Sequence, residues 1–325
     1  MEERQEIEIK AGMTVEEMKA LFFDSTALIE PNYRVYQLNS RGHRYYYTCD
    51  ETGTPTFYPS VTTIISQTVP QSPFLTKWIA DMGYDAAEDY KLERAAYGTF
   101  MHGEFEELII ARSYDFDKLR DRLSAYMERE RLPLSFIEYE DDFKKDIIAF
   151  AQFVKDYDVR PLAVEVALVH KDYGYAGMID LPCTMRAKIG GDERIAAIVD
   201  FKSGRKGFYP DHEIQLGMYS ELWNSNFPEH PIQRVFNFSP KSWRKKPTYN
   251  LKEQTNSINI QKIPYLLQIA AIEDEKIDKQ FTHISGVLNL DGDLTDNIES
   301  LSLSELVKRK TRENGANSAS KEKDE

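Results

Sequence analysis

The sequence predicts a mixed α/β protein: a mixed central β-sheet flanked by helices, with a helical insertion ahead of the sheet and an N-terminal β-hairpin. Three observations predict it. Short apolar runs rich in Val and Ile gather after Pro161, at 162–170, 173–182, 195–202 and 232–239, bounded by Gly, Asp and Lys turns. Between 71 and 160 the apolar residues recur instead at helical spacing. A single helical pattern, Asp211–Asn226, separates the last two of those runs, so helices come first and a strand–strand–strand–helix–strand order follows.

Residues 1–58 read as an acidic helix and β-hairpin segment. Thr14 followed by Glu17 is a capping-box pattern, predicting a short helix near 15–23 that Pro31 and Asn32 close off. Alternating tyrosines around Ser40-Arg41-Gly42 predict the hairpin over 33–48. Residues 59–290 read as the main domain, with a helical part at 71–160 and an α/β core at 161–290. Ser60 is placed to cap a short helix. Trp78, Ile79 and Met82 share one helical face, and Gly83 separates that helix from a second that carries Gly98, His102 and Glu106. Leu119, Leu123 and Met127, then Phe143, Ile147, Phe150, Phe153 and Val154, predict two further helices on either side of Pro133. Pro264 suits the first turn of a helix running to about Lys279, and 283–290 reads as a last strand. Residues 291–325 read as a C-terminal helix and a disordered tail, since 311–325 are polar and aperiodic.

Composition narrows the function classes. A 41% hydrophobic and 12% aromatic content supports a packed core. No apolar run reaches membrane-spanning length, and the charged start MEERQEIEIK does not resemble a secretory signal. Cys49 and Cys183 alone suggest a reducing, cytoplasmic compartment and exclude a four-cysteine zinc or iron–sulfur site. A net charge of -13 argues against coating nucleic acid by bulk attraction. It leaves room for local basic clusters at Lys202, Arg205 and Lys206, and at Lys241, Arg244, Lys245 and Lys246.

The chemistry gathers around Ile195–Lys206, IAAIVDFKSGRK. Asp200 and Lys202 end a buried strand and point to one face, where charges need a purpose or a partner. The spacing alone says little, because Asp89, Asp142 and Asp274 each precede a lysine by two in helical surroundings. Asp180 ends the preceding run, so two strands each deliver an aspartate, a donor set for a hard cation such as magnesium or manganese. A simple ion pair at each strand end remains the plain alternative. Glu165, by alternation, shares a face with Ala163 and Ala167 in a strand read as 162–170. His102 and Glu106 lie four apart on one helical face, as do Gln215 and Tyr219 on the helix after Lys202.

Four pieces in this order resemble a known family. Gly98-Thr-Phe-Met-His102-Gly-Glu-Phe-Glu106 is similar to a G-x-x-x-H-x-x-x-E helix, and Gly177-Met-Ile-Asp180 to a G-x-x-D strand. Asp200-Phe-Lys202-Ser-Gly204 is similar to D-x-K-[ST]-G, and Gln215-Leu-Gly-Met-Tyr219 to Q-x-x-x-Y. The family is the RecB-like branch of the PD-(D/E)xK nuclease superfamily, over about 59–240. Pro59-Ser60-Val-Thr-Thr-Ile and Trp78 further resemble mitochondrial genome maintenance and phage exonucleases. The resemblance implies a restriction-endonuclease-like core and a Mg2+- or Mn2+-dependent DNA exonuclease without an iron–sulfur cluster. It implies metal ligation by His102, Asp180, Asp200 and the Phe201 carbonyl, with Glu165 as a further candidate. It also implies Lys202 as the catalytic lysine, Gln215 and Tyr219 as its organisers, and Glu106 as support. Its substrate would be DNA, single-stranded or with free ends, contacted by Arg205, Lys206, Lys241, Arg244, Lys245 and Lys246, with Tyr and Phe residues of 71–160 stacking on unpaired bases. Roles in recombination, repair or replication, a recombination or single-strand-binding partner protein, and a bacterial or phage origin follow from the family only. An inactive DNA-binding module of the same fold and an endonuclease remain the alternatives.

Overall fold

The structure is a computed structural model that describes residues 28–40, 43–204, 207–241, 243, 245–273, 280–284, 286, 287, 295 and 298–309. The helix predicted near 15–23, the turn at Arg41-Gly42, the tail 311–325, and Arg205, Lys206 and Arg244 lie outside the described residues.

The chain opens with an antiparallel meander, β1 (Tyr36–Ser40), β2 (His43–Cys49) and β3 (Pro55–Pro59). The hairpin predicted over 33–48 is its first two strands. The third, PTFYP, is too short and too rich in proline to read as a strand by pattern. Ser60 caps α1 (Val61–Thr68) by accepting from the Thr63 N–H. Then come α2 (Pro73–Met82), α3 (Tyr84–Ala111), α4 (Leu119–Glu130) and α5 (Glu140–Asp156). Gly83 sits between α2 and α3 at φ 89, a conformation open to glycine and strained for other residues.

Past Pro161 the strand pattern departs from the sequence reading. The run 162–170 forms a strand only as β5 (Val166–His170); Glu165 ahead of it is left-handed, φ 47. The run 173–182 is broken at Asp180 into β6 (Tyr175–Ile179) and β7 (Leu181–Arg186). β6 pairs with β5 in a separate hairpin, whereas β7 enters a five-stranded sheet. In that sheet β10 (Thr248–Glu253), β9 (Arg234–Lys241), β8 (Arg194–Phe201), β7 and β4 (Arg160–Pro161) lie side by side. β8 and β9 are parallel, joined through α6 (Pro210–Asn226), and the other neighbours are antiparallel. β10 is half-exposed and polar, which hides it from a hydrophobic reading. After α7 (Ile263–Glu273) come β11 (Phe281–Ile284) and β12 (Ile298–Leu301), an antiparallel pair, and a helix over 303–309. Cys49 and Cys183 are both free thiols.

Alternation along β8 assigns the two layers. Ile195, Ala197, Val199 and Phe201 pack with Phe105, Phe150 and Phe153 of α3 and α5. Ile198 packs on the other side with Leu216, Tyr219 and Trp223 of α6. Tyr97, Phe100, Tyr126, Phe136 and Phe143 are core residues too, so the aromatics of 71–160 are mostly unable to reach a base. The exceptions are Phe74, Tyr84, Tyr90 and Phe116, which are exposed, and Trp78, Tyr114, Tyr139 and Tyr157, which are half-buried. The helical segment needs these rings to fill the layer between its own helices and the sheet.

Candidate metal centre

The centre lies at the carboxyl end of β8, where the parallel β8–β9 pair ends and β6 gives way to β7. Asp180 occupies the one-residue break between those strands. Its Oδ2 accepts the Phe201 N–H at 2.6 Å, tying the break to the end of β8. Glu165 faces it across the β5–β6 hairpin, with the Glu165 N–H donating to the Asp180 carbonyl at 2.9 Å. This bond lies one step beyond the pairing of Val166 with Ile179 and sets the two residues opposite each other.

His102 reaches the same point from α3. Its Nδ1 is 3.2 Å from Glu165 Oε1 and 3.7 Å from Asp180 Oδ1, and its Nε2 is 3.2 Å from the Phe201 carbonyl oxygen. Ligand atoms of His102, Glu165 and Asp180 all lie within 4.8 Å of one another. An imidazole and two carboxylates beside a backbone carbonyl form a donor set that could hold a divalent metal ion. Phe201 also turns its ring edge-on to His102, with centroids 5.4 Å apart, and so holds the imidazole against the strand end.

Asp200 is buried, and its Oδ2 is engaged twice, by Lys202 Nζ at 2.8 Å and by Asn237 Nδ2 at 2.9 Å. Lys202 Nζ also donates to Gln215 Oε1 at 2.9 Å, and Gln215 Nε2 donates to the Tyr219 hydroxyl at 2.9 Å. The result is one chain of hydrogen bonds from Asn237 through Asp200, Lys202 and Gln215 to Tyr219. Gly177 makes room for the Tyr219 ring beside β6: an added Cβ would sit 2.8 Å from it. Gly98 is less demanding, since a Cβ there would meet only the Ser203 hydroxyl, at 3.4 Å.

Electrostatics follow from crowding charges in little water. Burial would lower the His102 pKa, but Asp180, Glu165 and Asp200 outweigh it and push it up to about 9. Burial, reinforced by Glu165, pushes Asp180 up to about 6 against the pull of His102 and Lys202. Asp200 is raised by burial and by Asp180, with Lys202 opposing. His212, in the first turn of α6, is driven down to about 4 by burial and by the Lys202 charge, so it faces the centre neutral.

The structure therefore brings together His102, Glu165, Asp180, the Phe201 carbonyl, Asp200, Lys202, Gln215 and Tyr219. Glu106 is half-buried one turn beyond His102 on α3, while the His102 nitrogens bond Glu165 and Phe201. Lys241, Lys245 and Lys246 are exposed around the β9–β10 turn, at the same sheet end as Lys202. Asn237 and His212 escaped the sequence reading. Asn237 had a visible signal: it is the one amide inside the apolar run VFNF, fully buried opposite Asp200 in the parallel register. His212 had none.

No protein-family model matches the chain. No curated protein sequence matches it. Among solved structures, the protein named "Putative exonuclease" from Eubacterium rectale is similar over 48% of this chain, at 12% identity and a TM-score of 0.30. This chain spans 62% of that protein's length. A second structure, SSO0001, is similar over 55% of this chain and 86% of its own, at 16% identity and a TM-score of 0.26. Likenesses this distant carry no functional argument. No helix among the described residues is long and apolar enough to cross a membrane.

Proposed function

We propose that this chain is a metal-dependent DNA exonuclease of the RecB-like PD-(D/E)xK type, hydrolysing phosphodiester bonds from strand ends. One observation carries the reading: a His–Glu–Asp donor cluster lies at a strand end beside a buried aspartate–lysine pair held by Gln215. A structural ion pair would need neither the imidazole nor the second carboxylate.

His102, Glu165, Asp180 and the Phe201 carbonyl would hold a magnesium or manganese ion, with Asp200 alongside. When bound, such an ion supplies a nucleophile at neutral pH and neutralises charge developing on the phosphate. The remaining chemistry belongs to the chain. Lys202 is held as an ammonium between Asp200 and Gln215, where it can donate to a phosphate oxygen or orient the attacking water. Gln215 and Tyr219 fix its direction, and Asn237 keeps the Asp200 carboxylate from rotating. Lys241, Lys245 and Lys246, with Arg205, Lys206 and Arg244, would carry the DNA backbone past the centre.

The test is end-labelled single- and double-stranded DNA, with a closed circle as control, incubated with Mg2+, Mn2+ or EDTA. Nucleotide release from linear DNA only, and only with metal, is the expected result. Asp200→Asn and Lys202→Ala should each abolish it while the circular dichroism spectrum stays unchanged. Binding without cleavage under every metal would overturn the reading in favour of an inactive module, and cutting of the circle would favour an endonuclease.

A further inference from the structure

The centre has a wall that the proposed chemistry does not use, the β1–β3 meander. Tyr46 and Tyr58 on its inner face pack on Val169 and Ala176 of the β5–β6 hairpin. Ala176 shares its face with Met178, and Val169 with Ala167; Asp180 follows the end of β6, Glu165 precedes β5, and both act electrostatically on the Tyr46 hydroxyl. The inner face of the meander thus covers the hairpin next to the end that carries both carboxylates of the metal centre.

Arg44 is on that inner face, two residues before Tyr46. Strand direction says which way it lies. Ser60, at the end of β3, bridges Ala176 in parallel, so β3 runs along β6 toward Asp180. β2 is antiparallel to β3, so stepping back from Tyr46 to Arg44 also moves toward Asp180. The backbone of Arg44 is pinned there. Its carbonyl accepts from the Ser60 N–H at 3.0 Å and the Thr63 hydroxyl at 2.8 Å, and its N–H reaches that hydroxyl at 3.1 Å. Ser60 and Thr63 are both buried. The Arg44 side chain neighbours the Tyr46 hydroxyl, and that buried hydroxyl lies within electrostatic reach of Glu165, Asp180 and Tyr219. The Arg44 residue itself is exposed.

We propose that Arg44 binds a phosphodiester of the DNA strand entering the centre and holds it against the repulsion of Glu165, Asp180 and Asp200. It rests on the nuclease reading above. Lys202 supplies a cation from the β8 side. Arg44 supplies one from the meander, with a planar guanidinium suited to two phosphate oxygens and a backbone fixed by three hydrogen bonds. The strand would pass between the meander and the end of β8.

The experiment uses the full chain and a labelled single-stranded oligothymidylate. Affinity is measured against NaCl concentration in EDTA, and cleavage kinetics with Mn2+. Arg44→Gln should raise Kd and KM roughly tenfold, leave kcat nearly unchanged, and flatten the salt slope by about 0.7, the value of one single-strand phosphate contact. Arg44→Lys should restore the slope and only part of the affinity, because it keeps the charge and loses the fork. A measurement on the wild-type chain covers the case in which Arg44→Gln unfolds: the oligonucleotide should protect Arg44 from phenylglyoxal, read by mass spectrometry. Wild-type slope and KM in a folded Arg44→Gln, or equal modification with and without oligonucleotide, overturns the proposal while the nuclease reading stands. A wild-type chain that neither binds nor cleaves DNA under any metal overturns both.

Discussion

Gly177→Ala should damage stability and activity together, through Tyr219. A Cβ at Gly177 would lie 2.8 Å from Tyr219 Cε1, 3.3 Å from Val61 Cγ2 and 3.4 Å from Leu222 Cδ2. The first distance is more than half an ångström inside ordinary contact, roughly where dispersion turns to repulsion. The neighbours have nowhere to go: Tyr219, Val61 and Leu222 are 5%, 1% and 0% exposed. Either the Tyr219 ring swings and gives up the Gln215 Nε2 bond, or β6 shifts and carries Asp180, three residues on, with it. Overpacking of this kind costs about 1–3 kcal/mol. The urea midpoint reads that loss, and the cleavage rate should fall about tenfold if ~1.4 kcal/mol of it reaches the transition state. A double-mutant cycle decides the cause. In a Tyr219→Ala background most of the penalty should vanish, giving a coupling of about 1 kcal/mol or more. A Gly177→Ala chain within about 0.5 kcal/mol of the parent, or an equal penalty with and without the Tyr219 ring, would show that Tyr219 does not set the limit at Gly177.

Other perturbations follow from the same geometry. Asn237→Leu removes one of two donors to Asp200 Oδ2, which keeps Lys202, and the acceptor for buried Gln254, so urea unfolding should show a loss of about 1–3 kcal/mol. Asn237→Asp should cost more activity than Asn237→Leu, because it sets a second carboxylate against Asp200; equal rates would contradict this. Tyr97→Phe deprives buried Asp146 of a hydroxyl donor and should lower stability by about 1–2 kcal/mol, with little effect on Mn2+ affinity by calorimetry. That affinity should itself depend on pH. With the His102 pKa raised to about 9, a metal must displace its proton at neutral pH, so affinity should climb about tenfold per pH unit until about pH 9. A flat profile between about pH 6 and 8 would show that His102 is not a ligand.

The layer architecture was legible because each half of the chain carries one dominant period. Leu119, Leu123 and Met127 on α4, and Phe143, Ile147, Phe150, Phe153 and Val154 on α5, are all buried, as spacing required. β8 was legible because its five-residue apolar run is buried on both faces. What escaped was set by tertiary pairing. The strand read over 162–170 starts late because Glu165 takes a left-handed conformation that hydrophobicity cannot signal. The strand read over 173–182 divides because its two halves find different partners, β5 and β8, and the chain must bend between them. β3 and β10 are defined by pairing with β2 and β9: two prolines mask β3, and β10 offers only Tyr249 and Leu251 in alternation with polar residues. Register was equally invisible: the alternation argument left the face of Glu165 open, and only its backbone bond to Asp180 aligns the two carboxylates.

The irregularities and the chemistry fall at the same place for a physical reason. A continuous β6–β7 strand would pass Asp180 in a regular pleat, with its neighbours holding its backbone in a ladder. The break frees the Asp180 carboxylate to bond the Phe201 N–H, and the left-handed turn at Glu165 brings a second carboxylate opposite. Such a conformation costs about 1–3 kcal/mol in a non-glycine residue and persists only where the surroundings over-determine it. Here they do, through the Glu165 N–H bond to Asp180 and the Oε1 contact with His102. Three carboxylates, Glu165, Asp180 and Asp200, then share a pocket with two cations, His102 and Lys202. The surplus is one negative charge, and the proton on His102 is the more readily exchanged of the two positive charges. A divalent ion that replaces that proton adds one net positive charge and cancels the surplus while Asp200 keeps Lys202, so the same strained break that gathers acids would no longer repel a phosphate at the strand end.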